Sequence, residues 1–99
     1  MKFGLTPSQY QYILDTVVKP LNLLGANIWC YGSRARGNYN PFSDLDLMVE
    51  SDRDLSGDLG NIIEQLENSN FPYKVDLVQF MHFAESYKSN YLSERQLFK

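Results

Sequence analysis

"WCYGSRARGNYNPFSDLDLMVE", residues 29–50, is the stretch on which the fold of this chain turns. A β-rich run stops at Gly32-Ser33, two arginines follow, and ten residues separate Ser33 from Asp44-Leu45-Asp46 in a second β-rich run. On a strand, residues i and i+2 project from the same face, with α-carbons roughly 6.5–7 Å apart. Asp44 and Asp46 therefore share one face, while Leu45, Leu47 and Val49 take the other. Two carboxylates so placed repel one another unless a cation lies between them. Hard oxygen ligands of this kind favour Mg²⁺, and bridging carboxylates suit ions held about 3.5–4 Å apart in phosphoryl-transfer sites.

The spacing alone is weak, because Asp52-Arg53-Asp54 repeats it a few residues later. That second pair falls in a polar bend ahead of a helix, where carboxylates are solvated or cap helices. Asp44 and Asp46 differ in alternating with apolar residues, so a buried opposite face holds them on a platform. A third aspartate, Asp76 in "KVDLV", alternates in the same way. Neighbouring strands lie about 4.8 Å apart, so Asp76 is placed to complete a three-carboxylate cluster, with pairing to Lys74 as its plainer role. Gly32 allows close approach of backbone to a ligand. Ser33 and nearby amides are suited to a phosphate at the start of a short helical turn, and Arg34 and Arg36 bring positive charge to the same place.

The surrounding elements follow from periodicity. Thr6, Pro7 and Gln9 form a capping-box helix start. Tyr10, Ile13, Leu14, Val17, Val18 and Leu21 then recur at helical spacing, with Pro20 in the end region and Gly25 in the turn beyond. "ANIWCY", "SDLDLMVE" and "YKVDLVQF" read as strands. "LSGDLGNIIEQLENSN" reads as a helix, and the tail as helical from about Phe83 to Leu92, with Leu97 and Phe98 free to dock on the body or on a partner. The expected fold is one α+β domain over residues 1–99: a small mixed sheet, order α-β-β-α-β-α, with helices packed on one face. The acidic face is left for chemistry.

A chain of 99 residues with 43% hydrophobic and 14% aromatic content can build a core. A net charge of −3 offers no basic face for general nucleic-acid binding. No apolar run approaches a membrane span, and the lone cysteine, Cys30, reads as a small core residue in a reducing compartment. The expectation is a cytoplasmic protein. His82 has no second histidine or cysteine near it and reads as a surface or helix-start residue, not a metal ligand. Tyr39, in the motif loop, reads first as packing and second as a platform for a nucleobase.

Taken together, "GSRARGNYNPFSDLDLMV" with "KVDLV" resembles the minimal nucleotidyltransferase branch of the DNA polymerase β-like nucleotidyltransferase superfamily. The resemblance runs from about Ile28 to Val78. It implies a palm-like sheet that binds ATP with two Mg²⁺ ions. Asp44, Asp46 and Asp76 would be the catalytic metal ligands, with Asp76 also helping to deprotonate the attacking hydroxyl. Gly32 and Ser33, with Arg36 and less directly Arg34, would hold the triphosphate. It further implies an antitoxin that adenylylates a tyrosine of a HEPN-domain ribonuclease toxin. No part of this short chain is available to grip a large acceptor, so the acceptor would arrive on another molecule. The alternatives are a nucleotidyltransferase with a small-molecule acceptor, as in the aminoglycoside-modifying enzymes, and a binding-only antitoxin.

Overall fold

In the computed structural model, which describes residues 2–99, the chain opens with the predicted capping box. The Gln9 amide donates to Thr6 Oγ1 at 3.2 Å, and the Thr6 amide donates to Gln9 Oε1 at 2.8 Å. Helix α1 then runs without a break over residues 7–23, α-helical over Pro7–Ile13, π-helical over Leu14–Val18 and α-helical again over Lys19–Leu23. The wide turn has a cause. Pro20 carries no N–H, and its ring crowds the preceding turn. Widening that turn lets the Lys19 amide reach back to the Leu14 carbonyl. The helix thus passes through Pro20 for one more turn, and Gly25, at φ 89°, reverses the chain after it.

Four strands follow: β1 (Asn27–Tyr31), β2 (Leu45–Glu50), β3 (Val75–Gln79) and β4 (Gln96–Leu97). They lie in the order β3-β2-β1-β4. β1 is antiparallel to both β2 and β4, whereas β2 and β3 are parallel. A parallel pair needs a crossover, and helix α3 (Ser56–Glu67) supplies it. The short helix α2 (Gly32–Arg36) fills the start of the β1–β2 connection, and α4 (Lys88–Glu94) precedes β4. The sequence did not announce β4. Its two residues have no alternation of their own, and it exists because Phe98, 1% exposed, anchors the tail in the core. There Phe98 stacks on Tyr10 at 4.4 Å between ring centroids, and its amide donates to the Ile28 carbonyl.

The core lies on one side of the sheet. Ile28, Cys30, Leu45, Leu47 and Val49 pack against Ile13, Val17, Val18 and Leu21 of α1 and against Leu59, Ile62 and Leu66 of α3. Burial of this apolar surface is the main term holding the sheet to its helices. The opposite face is covered only in part, which refines the expectation that all helices share one side. Tyr91 of α4, 1% exposed, sets its ring edge against Tyr31 at 5.3 Å and donates its hydroxyl to Glu50 at 2.5 Å. Arg95 lies over Trp29 at 4.0 Å and pairs with the same Glu50. The β3–β2 end of this face, which carries the aspartates, is left outside that cover. Among the described residues, no helix is long and apolar enough to cross a membrane.

Candidate active site

The sheet register decides how the aspartates meet. Asp46 is the partner of Asp76 across the parallel β2–β3 pair, and of Tyr31 across the antiparallel β1–β2 pair. Two carboxylates at matched positions on neighbouring strands are held side by side by the backbone itself. Burial, the charge of Asp76 and the charge of Asp44 push the Asp46 carboxyl up to about 6, against a weaker opposing pull from Arg36. Burial, and after it the charges of Asp46 and Asp76, raise the Tyr31 phenol to about 12. A site that resists the ionisation of Asp46 is one that a cation relieves.

Asp44 stands apart from this pair. It lies one residue before β2, exposed, so the expected strand start at Ser43 moves to Leu45. The Leu45 amide donates to the Lys74 carbonyl at 2.9 Å, which ties the chain beside Asp44 to the start of β3. Among the described residues, no three acidic, histidine or cysteine side chains are gathered closely enough to enclose a metal ion. Asp76 is also shared with Lys74, whose Nζ lies 3.5 Å from its Oδ1 while remaining largely exposed. Of the two roles weighed for Asp76, the pairing with Lys74 is present; beside it Asp76 matches Asp46 across the strands, but Asp44 does not close a cluster of three. The donor set is all oxygen and all anionic, and it fits Mg²⁺.

Gly32 sits directly against this acidic pair. Its φ is 75°, and a Cβ at this position would lie 2.5 Å from Asp46 Oδ2. Only glycine meets both conditions. From here α2 carries Ser33, half-buried, and Arg36, exposed. Gly37, at φ 85°, closes the turn by donating its amide to the Ser33 carbonyl. The Gly32 amide donates to Glu94 Oε1 at 3.2 Å, and Arg36 Nη1 donates to Glu94 Oε2 at 3.0 Å. Sequence reading did not find Glu94. It lies 62 residues from Gly32, in a tail whose composition carries no motif.

Arg34 leaves the phosphate-binding set. It is 2% exposed, with Nε donating to the Ser43 carbonyl and Nη1 to the Phe3 carbonyl, both at 3.0 Å. Its guanidinium lies against Tyr73 at 4.1 Å and Tyr39 at 5.1 Å. An arginine so enclosed is a fastener between the N-terminal segment and the end of the motif loop. Tyr39 is committed to the same cluster, in line with its packing role. His82 stands at the surface, with Nε2 3.5 Å from Asp54 Oδ2. Asp54 accepts from the Ser56 hydroxyl, from the Gln79 side chain and from the Ser56 amide. These bonds hold its carboxyl well below the usual range. The second Asp-x-Asp is therefore structural at the start of α3.

The mixed sheet, its paired aspartates and the glycine-led turn set against them follow the pattern that the sequence resemblance implies. The chain belongs to the nucleotidyltransferase domain family, whose model matches residues 12–98. It is similar to the Haemophilus influenzae protein named "Probable protein adenylyltransferase MntA", at 31% identity over 77 residues, covering 77% of this chain and 67% of that one. It also aligns with the crystal structure of a Sulfolobus solfataricus protein provisionally assigned as a nucleotidyltransferase. That match has a TM-score of 0.43 at 16% identity and covers 99% of this chain and 87% of the other.

Proposed function

We propose that this chain is a Mg²⁺-dependent protein adenylyltransferase that moves AMP from ATP to a tyrosine hydroxyl of a HEPN-type ribonuclease toxin, and so acts as the toxin's antitoxin. The observation that carries the transfer chemistry is the in-register pair Asp46 and Asp76 with Gly32 pressed against it. Similarity to a protein named as an adenylyltransferase favours a protein acceptor over a small molecule. Asp44, Asp46 and Asp76 would hold the ions, which supply charge neutralisation at the triphosphate. Gly32, Ser33 and Arg36 bind the phosphates. The tyrosine oxygen bonds to the α-phosphorus, the α–β phosphoanhydride bond breaks, pyrophosphate leaves, and Asp76 takes up the hydroxyl proton.

The test is to mix the protein with α-labelled ATP, Mg²⁺ and the product of the adjacent gene, and to repeat the mixture with Asp44→Asn/Asp46→Asn. Label on the partner with the intact aspartates alone is the expected result. Toxin inhibition that survives the double substitution without label sinks the catalytic reading and leaves an antitoxin that acts by contact.

A further inference from the structure

The segment 94–96 grips the Gly-Ser turn at three points. Glu94 accepts from the Gly32 amide and from Arg36, and Gln96 Nε2 donates to the Ala35 carbonyl at 2.7 Å. Both ends and the middle of α2 are thereby fastened to residues some sixty positions further along the chain. A five-residue helix has too few internal hydrogen bonds to hold its own shape, so its geometry has to come from outside. The gripping segment is itself fixed on either side. Arg95 pairs with Glu50 and lies over Trp29, and Phe98 is buried in the core. Arg36 is 47% exposed at its side chain, and its Glu94 partner 21%. The contact therefore orients an exposed guanidinium at the rim of the site, and is not a buried stability element.

We propose that Glu94 and Gln96 are positioning residues for nucleotide binding: the C-terminal segment sets the Gly32–Arg36 turn in the conformation that receives the triphosphate. The proposal rests on the nucleotidyltransferase reading of the site above. It assigns a task to a tail that a sequence motif leaves out, and it separates Arg36, aimed by Glu94, from Arg34, buried as a fastener.

The experiment measures Mg²⁺–ATP affinity of the full chain by calorimetry for the wild type, Glu94→Gln and Gln96→Leu, with the thermal midpoint recorded alongside. Each substitution is expected to weaken binding about three- to tenfold, the scale of one intramolecular hydrogen bond. In the labelling assay the loss should appear as a raised KM for ATP with kcat little changed. A merely structural role would instead lower the active fraction, reducing apparent kcat at unchanged KM and Kd. Gln96→Leu changes no charge, so its effect cannot come from altered repulsion of the triphosphate. Unchanged or tighter binding in either variant overturns the proposal; tighter binding in Glu94→Gln would mean that the carboxylate competes with phosphate. If the wild type does not bind Mg²⁺–ATP at all, the nucleotidyltransfer reading fails with it, a result distinct from equal binding by all three proteins.

Discussion

The Asp46 carboxylate occupies the space that any side chain at Gly32 would need: a Cβ there would meet Oδ2 at 2.5 Å. The Gly-Ser turn and the acidic pair are one packed unit, and the ten-residue interval between Ser33 and Asp44 is the length of chain that returns β2 beside β1. Gly32→Ala must move the Asp46 carboxylate or the turn, and it also places a side chain at φ 75°. The strained backbone should cost about 1–3 kcal/mol in urea unfolding. Transfer activity should fall much further than stability does. An alanine variant that retains full activity would show that the contact has no part in the chemistry.

Asp46 makes the stability of the cation-free protein depend on pH. Its folded-state carboxyl is raised from 3.8 to about 6, burial first and Asp76 second. Below 3.8 the group is protonated in both the folded and unfolded states and costs nothing. As pH rises from about 4 to 6, the unfolded chain ionises more readily than the folded one, so stability falls, and the deficit is complete above about 6. In EDTA, Asp46→Asn should therefore raise the unfolding midpoint at pH 7 and leave it nearly unchanged at pH 4. Added Mg²⁺ should stabilise the wild type and not the variant. A variant stabilised equally at both pH values would contradict this assignment.

Asp54 shows the opposite sign and serves as a control. Its carboxyl is lowered, first by the Ser56 hydroxyl and then by Gln79. The stability that it contributes is present above 3.8 and is lost as pH falls through its depressed folded value. Asp54→Asn should destabilise modestly at neutral pH, with the difference from wild type shrinking in acid. Mg²⁺–ATP binding should not change. A loss of nucleotide binding would mean that the second Asp-x-Asp reaches the site after all.

What could be read from residues alone was set by local chemistry. The Thr6–Gln9 capping box, the alternation of Asp46 with Leu45 and Leu47, and the turn at Gly32 each depend on neighbours within four residues, and each appears where expected. Pro20 lies in the end region of its helix as expected, but the π-helical turn over Leu14–Val18 that accommodates it is not announced by the sequence. The resemblance ranks Arg34 below Arg36 without giving a physical reason. The two differ by the burial of one beneath Tyr39 and Tyr73, a long-range outcome. Glu94 and Gln96 escaped for the same reason, since their partners lie some sixty residues earlier in the chain. Alternation puts Asp44, Asp46 and Asp76 in one expected cluster, whereas the structure matches only Asp46 with Asp76 across the strands and leaves Asp44 exposed, an outcome of side-chain placement that no spacing encodes.

Arg34 gives the last prediction, because its buried guanidinium does a task that a lysine cannot. One planar group satisfies two carbonyls on separate segments, Ser43 and Phe3, while its faces lie against Tyr39 and Tyr73. A lysine ammonium is a point charge without that fork or that flat face. Arg34→Leu leaves both carbonyls without their donor in a dry environment and should cost about 2–4 kcal/mol. Arg34→Lys should recover less than half of that loss. Ser43 directly precedes Asp44, so both variants should also require more Mg²⁺ for half-maximal labelling, whereas a phosphate-contacting arginine would change the KM for ATP first. Equal stability of the lysine variant and the wild type in urea would refute the fastener role.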